Sequence, residues 1–113
     1  MLLEIPLRPI PGQMLLVVLN GQNCYFKVLS RRGRLFCGLT IDETPIFDGM
    51  LCRDRLPLKQ SRVQPLIGNV VFVDMDGTED PAWEGLGARF RFIYYTDDET
   101  LPANFQTPII NQD

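Results

Sequence analysis

The spacing of turn residues is the feature that most constrains how this chain can fold. Nine prolines and nine glycines are spread along its 113 residues. No stretch longer than about eight residues has the period of an amphipathic helix. Short apolar or alternating runs separated by turn residues are typical of antiparallel β proteins. We therefore expect an all-β fold, a small antiparallel β-barrel or sandwich of about seven or eight short strands.

The clearest turn is Asn20-Gly21, which separates the apolar run Met14–Leu19 from the run Asn23–Leu29. Both central residues of a type I′ turn need a positive φ, and Asn-Gly adopts this conformation readily. The sequence therefore predicts a β-hairpin here. Three further turns are predicted downstream by their composition, at Arg31–Arg34, Asp42–Pro45 and Asp48-Gly49.

The second half of the chain predicts a strand over Asn69–Asp76, a turn-rich loop over Gly77–Gly87 and a last strand over Gly87–Thr96. Residues 1–96 are expected to form a single β domain. Residues 97–113 form an acidic, proline-containing tail. It has no amphipathic period, so it is either disordered alone or an arm that docks on a neighbouring subunit.

A possible catalytic motif begins at residue 70. The segment Val70–Thr78 is an apolar strand followed by Asp-x-Asp-Gly-Thr, which resembles the nucleophile motif of haloacid-dehalogenase phosphatases. That resemblance implies that Asp74 would attack phosphorus, that Asp76 would be the general acid/base and that Mg²⁺ would bind between them. The same residues also fit the end of a strand and an acidic turn.

The rest of the chain does not supply what such a phosphatase requires. Its parallel α/β sheet needs crossover helices, but only 35 residues follow Thr78 and none of them predicts such a helix. A lysine must neutralise the phosphoryl group, and the only two, Lys27 and Lys59, precede the motif. A calcium loop also fits poorly, since Gly85 stands where an EF-hand needs its last glutamate. We predict no catalytic, cofactor-binding or metal-binding residues.

Composition excludes several other kinds of site. The chain has no histidine, so Ser-His and Cys-His catalysis are excluded. Cys24, Cys37 and Cys52 are an odd number without CxxC spacing, which favours buried free thiols over a disulfide framework. The longest apolar run, Met14–Leu19, is too short to cross a bilayer, and no secretory signal is visible at the start.

Charge is unevenly distributed along the sequence. Residues 1–62 contain nine basic and five acidic side chains, for a net charge of +4, whereas residues 63–113 contain two basic and nine acidic ones, for −7. The overall charge of −3 gives no general attraction to nucleic acid. A fold that separates the two halves would suit docking between complementary subunits, whereas interleaved strands would mix the charges over the surface.

Several short pieces over residues 3–96 form a recognisable set through their order and spacing. The pieces are Glu4-Ile-Pro-Leu7, Leu19-Asn-Gly21, the strand from Tyr25, Ile46-Phe-Asp-Gly49, Leu56-Pro-Leu58, Gly68, Gly77, Asp80-Pro81, Gly85-Leu-Gly87 and Arg91-Phe-Ile-Tyr-Tyr95. With this set the chain resembles the small baseplate plug proteins of contractile-tailed phages.

This resemblance implies a structural virion protein that plugs or braces the tail-tube hub by protein–protein contacts. It implies several copies per virion among other baseplate and hub proteins, and no catalysis. We expect synthesis in the host cytoplasm, no cofactor, no nucleic acid and no membrane insertion. The alternatives are a generic β-barrel interaction module and, more remotely, the Mg²⁺-dependent phosphatase.

Candidate interface residues follow from position and side-chain type. The arginines of the predicted turn suit a carboxylate-rich partner, although they also fit a solvated turn. One of Tyr94 and Tyr95 is expected in the core and the other at a surface, because neighbouring residues of a strand point to opposite faces. Trp83 is either an interface anchor or a lid over one end of the fold. The predicted interface residues are Arg31, Arg32, Arg34, Trp83, Tyr95, Phe105, Ile109 and Ile110.

Overall fold

The computed structural model describes residues 2–59, 66–96, 102 and 105. These residues form seven β-strands and one 3₁₀ turn. The strands are β1 (Leu2–Ile5), β2 (Gly12–Leu19), β3 (Gln22–Arg31), β4 (Arg34–Ile41), β5 (Thr44–Leu51), β6 (Asn69–Asp74) and β7 (Phe90–Tyr95), with the 3₁₀ turn at Trp83–Gly85 before β7.

The strands form two antiparallel sheets. β2 to β5 form a four-stranded meander in chain order, and β1, β7 and β6 form a three-stranded sheet with β7 in the centre. The expected all-β fold is confirmed, and the arrangement is a sandwich rather than a closed barrel. β1 was not predicted as a strand; it pairs with β7 along its whole length, so the start of the chain closes the smaller sheet.

The predicted hairpins are confirmed for the first three strands of the meander. Asn20 and Gly21 both have positive φ, 51° and 80°, and β2 pairs with β3 from Leu19 opposite Gln22. Arg32 and Gly33 repeat this geometry between β3 and β4, with φ of 52° and 78°. Two-residue turns with this conformation match the twist of the strands they connect.

The predicted turn at Asp48-Gly49 is wrong. β5 continues through both residues to Leu51. Its pairing with β4 shifts register between Cys37 and Leu39, where β5 contains an extra residue, and Gly49 accommodates the irregularity with a φ of 65°. A turn and a β-bulge have the same sequence signal at this position, because both can use a glycine with positive φ. The turn before β5 is correspondingly shorter than predicted, and Pro45 lies within this edge strand, where proline is tolerated.

The main core lies between the two sheets. Phe92 of β7 is at its centre, with its ring stacked on Phe72 at 4.4 Å and edge-on to Phe26 of the other sheet at 5.2 Å. All three rings are almost fully buried. Aromatic pairs in these arrangements add about 0.5–1.5 kcal/mol to the stabilisation from burial. The two sheets are therefore joined by a continuous apolar layer.

All three cysteines are free and buried, as predicted. Burial raises the pKa of the Cys24 thiol to about 11. A hydrogen bond with Cys52, together with burial, raises the pKa of the Cys37 thiol. Thiols in this state are protonated at neutral pH and weakly reactive. Among the described residues, no helix has the length and apolarity needed to cross a membrane.

Candidate functional site

Asp74, the nucleophile in the phosphatase interpretation, lies at the end of β6 with its side chain fully shielded from solvent. Its Oδ1 accepts hydrogen bonds from the amide of Asp76 at 2.9 Å and from Nε of Arg89 at 2.8 Å. Its Oδ2 accepts from the amide of Glu79 at 2.8 Å and from Nη2 of Arg89 at 2.9 Å. A carboxylate has about four acceptor positions, so these donors use both oxygens fully.

This environment makes Asp74 a structural anchor. The bidentate hydrogen bonds from Arg89 lower the pKa of the Asp74 carboxyl; burial opposes this, and the amides of Asp76 and Glu79 reinforce it. A nucleophile or a metal ligand must present a free oxygen lone pair. Asp74 presents none, so its geometry supports neither chemistry. Within the described parts of the chain, no group of three or more metal-ligating side chains is assembled.

A second acid–arginine pair fastens the same turn to the segment that follows β5. The Arg55 guanidinium donates to the carbonyl oxygens of Gly77 at 2.9 Å and Asp74 at 3.2 Å. The Asp54 carboxylate accepts from the amide of Asp74 at 2.8 Å and pairs with Arg55. Both side chains of this pair are at most 10% exposed. The turn after β6 is thus held on two sides by a buried carboxylate and its arginine, and this network was not predicted from the sequence.

The arginines that remain exposed are gathered at one end of the four-stranded sheet. Arg31 and Arg34 flank the β3–β4 turn. Arg8 precedes β2, with its backbone bonded to the side chain of Gln13. Arg53 follows β5. The preceding residue, Cys52, donates its amide to the carbonyl of Leu35, which places Arg53 beside the start of β4. We call the exposed set the arginine row; it consists of Arg8, Arg31, Arg32, Arg34 and Arg53.

The arginine row places a cation at the same end of each of four adjacent strands. Neighbouring strands are about 4.8 Å apart, so the row extends over about 15 Å. None of its members forms an ion pair with another described residue, whereas Arg55, Arg89 and Arg91 all do. The structure therefore extends the predicted basic turn to a broader exposed basic surface. Arg8 and Arg53 could not be assigned to it from sequence because the strand order was needed.

An acidic turn borders the arginine row. It consists of Asp76, Glu79 and Asp80, all exposed. The Asp80 carboxylate accepts a hydrogen bond at 3.0 Å from the amide of Asp54, the residue after Arg53. The same end of the molecule thus presents both signs of charge side by side, the basic part on the larger sheet and the acidic part on the smaller one.

An exposed apolar stripe runs along β2. Met14, Leu16 and Val18 are 61%, 66% and 64% exposed, and they share the outer face of the larger sheet. Tyr25 of β3 lies opposite Leu16 and donates a hydrogen bond to the sulfur of Met14 at 3.1 Å. We call Met14, Leu16 and Val18 the β2 stripe. In the sequence this stripe corresponds to the uninterrupted apolar run Met14–Leu19. A strand that is apolar on both faces is usually covered on both faces.

The other predicted interface residues are distributed differently. Trp83 is partly buried against the main core. Tyr94 is in the core, as expected for one member of the pair, and Tyr95 lies on the opposite face. There Tyr95 and Phe105 pack against a second small cluster on the outer face of the smaller sheet, formed by Val71, Val73 and Ile93. Ile109 and Ile110 lie outside the described residues. Among the described members of the predicted set, the structure thus groups the arginines at one end of the larger sheet and Tyr95 with Phe105 on the outer face of the smaller one.

A sandwich with buried, internally paired acids and broad exposed contact surfaces has the features of an assembly protein. The family model described as "Cyanophage baseplate Pam3 plug gp18" matches residues 2–98. The chain therefore belongs to this family of phage baseplate plug proteins, which confirms the predicted resemblance. Membership gives it a structural role in the baseplate and a place in the virion tail. No curated protein matches the chain.

Proposed function

We propose that this protein plugs or braces the tail-tube hub through contacts with neighbouring baseplate and hub subunits, in several copies per virion. The observation that carries the proposal is the family match, which covers residues 2–98. In this proposal the chain is synthesised in the host cytoplasm, which agrees with its buried free thiols, and acts only after assembly into the tail.

The anchored turn supports a bracing role. A plug must keep its shape while its neighbours are under stress, and mobile loops at a contact surface would weaken it. The turn after β6 is fixed by Asp74 and Arg89 on one side and by Asp54 and Arg55 on the other. The exposed acids that this turn carries are therefore presented in a fixed position.

The charge pattern supports a protein partner. Arginines that form no ion pair with another described residue, with their planar guanidinium groups, suit carboxylates on an adjoining subunit. Nucleic acid presents only negative phosphates, so the acidic turn beside the arginine row would repel it. A protein surface can carry acidic and basic patches in complementary positions and match both parts at once.

Purified virions and a deletion strain test this role. Mass spectrometry of purified particles should detect the chain at a fixed stoichiometry to the tube and hub proteins. Deleting its gene should give particles with an open or unstable hub, and supplying the protein in trans should restore them. Particles that lack the chain, or a deletion without any effect on tail structure, would contradict the proposal and favour a generic interaction module.

The enzymatic alternative is tested best at Asp76 rather than Asp74, because replacing the buried Asp74 would disturb folding. The Asp76→Asn variant removes the exposed carboxyl that a phosphatase would use as its acid/base, and it leaves the Asp74 anchor in place. We expect no Mg²⁺-dependent phosphate release from either wild type or variant. Activity in the wild type that disappears in Asp76→Asn would establish the enzyme instead.

A further inference from the structure

β2 is a long edge strand without the usual protection against pairing. Its eight residues, Gly12–Leu19, contain no charged side chain and no proline. The opposite edge, β5, contains Pro45 and register irregularities. β proteins protect exposed edges with charged side chains, prolines or bulges, because a regular apolar edge pairs readily with another strand. The contrast indicates that the β2 edge is used for pairing.

The edges of the smaller sheet are also protected. β1 has only four residues. The outer side of β6 is covered by the segment after β5. The amide of Arg55 donates to the carbonyl of Phe72 at 2.7 Å, and the amide of Leu58 donates to the carbonyl of Val70 at 3.0 Å. Among the strands that the structure describes, β2 is thus the long edge that remains open.

The hairpin geometry determines which backbone groups face this open edge. A two-residue turn makes the flanking pair, Leu19 and Gln22, hydrogen-bonded, and the alternate residues of the strand then point their N–H and C=O groups away from β3. At the other end of the strand the amide of Ser30 bonds to the carbonyl of Pro11 at 2.8 Å, which follows the same alternation. Met14, Leu16 and Val18 therefore direct their backbone groups outward.

We propose that β2 pairs antiparallel with β2 of a second copy of this chain, with Leu16 opposite Leu16 across a two-fold axis. Met14 of each copy then lies opposite Val18 of the other. About six backbone hydrogen bonds close the joint, two for each of three pairs. The two β2 stripes become one apolar band on a continuous eight-stranded sheet. This inference deepens the proposed function, on which its biological role rests.

Charge favours a second copy in this orientation. β2 is uncharged, so two copies approach without repulsion along the strand itself. Arg8 stands near the start of β2, whereas Asp42 and Glu43 form the turn beside its far end, where Asp42 accepts from the amide of Asn23. Antiparallel pairing places the basic end of one copy near the acidic end of the other, whereas parallel pairing would align like charges. Complementary ends select the orientation more than they add affinity.

The size of the contact indicates how tight the pair should be. A strand of eight residues is about 27 Å long, and an edge contact of that length buries on the order of 1,000 Å² in total, at the lower limit of specific interfaces. The isolated protein should therefore form a dimer of micromolar affinity. In a baseplate that contains several copies, the high local concentration would favour the same pair.

Engineered cysteines test the register. Leu16→Cys places two thiols opposite each other, at a separation of the two Cα atoms that a disulfide can span. Oxidation by diamide should give a covalent dimer on a non-reducing gel. Met14→Cys should give little dimer alone and much more when mixed with Val18→Cys. The native cysteines are buried and should not contribute. Equal cross-linking of Leu16→Cys and Met14→Cys would overturn the proposed register.

Sedimentation velocity tests the pairing itself. The wild-type mass should rise from 12.9 kDa toward twice that value as concentration increases. Leu16→Lys puts two like charges at the two-fold axis, and Val18→Pro removes an outward N–H without breaking the ladder to β3; both should remain monomeric. The matched control is Met75→Lys, another exposed apolar residue outside β2, which should dimerise like the wild type. Circular dichroism establishes that each variant is folded.

The outcomes separate this inference from the proposed function. A wild-type protein that stays monomeric at all concentrations and gives no Leu16→Cys dimer, yet is present in virions, overturns the β2 pairing alone. A dimer with the stated register from a chain that is absent from virions overturns the baseplate role alone. Dimerisation that persists in both Leu16→Lys and Val18→Pro would also contradict an edge-to-edge pair.

Discussion

The turn after β6 and the arginine row contain the same kinds of charged side chain in opposite states. At the turn, the fully shielded Asp74 carboxylate is bonded to Arg89 and two backbone amides, and Asp54 is bonded to Arg55. In the arginine row, five exposed guanidinium groups have no ion pair with any other described residue. One region has its charges satisfied within the molecule, and the other has no ion pair among the described residues.

This difference separates stability from assembly. Removing one member of a buried charge network leaves the other uncompensated, which is costly for folding. Changing an exposed and unpaired charge barely affects folding, because the charge is solvated in both the folded and unfolded states. A charged cluster in the sequence can therefore serve either folding or assembly, and its hydrogen-bond partners in the structure distinguish the two. The following predictions test the contrast, from the largest expected change in stability to the smallest.

The largest change is expected for Asp74→Ala. The variant leaves the amides of Asp76 and Glu79 without their acceptor in a buried site and releases Arg89, so the free energy of unfolding should fall by about 3–5 kcal/mol. Urea denaturation monitored by circular dichroism measures this. The matched control is Asp76→Ala at the exposed side chain two residues later, which should change stability by less than about 0.5 kcal/mol. An equal loss of unfolding free energy in the two variants would contradict the role of Asp74 as a buried anchor.

Acid should weaken the anchor before it affects the arginine row. The pKa of Asp74 is lowered in the folded protein, chiefly by Arg89, so its stabilising contribution is fully present above the unfolded carboxyl pKa of about 3.9. That contribution is lost as pH falls below this value toward the folded pKa. Unfolding measured between about pH 5 and pH 2 should show this loss. The slope should be smaller in Asp74→Asn, and an identical slope would contradict the assigned role.

Replacing Arg89 by lysine should have a smaller effect. Lysine keeps the positive charge but cannot make the two parallel hydrogen bonds to Oδ1 and Oδ2 of Asp74. Since the Arg89 side chain is 36% exposed, water compensates in part, and we expect a smaller loss of stability than for Asp74→Ala. Thermal unfolding of Arg89→Lys and Arg91→Lys gives a matched comparison, because Arg91 makes a more exposed pair with Glu4. A larger loss for Arg91→Lys would contradict the anchor.

The smallest change in stability is expected for the arginine row. Reversing two charges in Arg31→Glu/Arg34→Glu should alter the free energy of unfolding by less than about 0.5 kcal/mol, because these side chains pair with no other described residue. The same variant should be incorporated poorly into virions if, as proposed, these cations bind a carboxylate-rich partner, because it replaces them with anions. Incorporation is measured by quantitative mass spectrometry of purified particles, with Arg31→Lys/Arg34→Lys as the charge-conserving control.

The local pattern of the sequence predicted much of the fold. The Asn20-Gly21 dipeptide predicted the β2–β3 hairpin, since a two-residue turn depends only on neighbouring residues. Asp48-Gly49 was assigned a turn because a bulge has the same local chemistry. Which conformation forms there depends on pairing with β4.

The features that the sequence did not predict all depend on contacts between distant residues. Asp74 bonds to Arg89 across fifteen residues and, through its amide, to Asp54 across twenty. The arginine row combines Arg8 and Arg53 only after the four strands are in order. The acidic motif was conspicuous in the sequence, but local spacing could not show that its first carboxylate is enclosed by its own turn.

The most direct test of the baseplate role is a reconstruction of the intact tail by electron cryomicroscopy. We expect sandwich-shaped density at the tube–hub junction, with the arginine row facing acidic side chains of an adjoining subunit and the Asp74 carboxylate enclosed by its own turn. Density for this chain outside the baseplate, or an arginine row that faces only solvent, would contradict it.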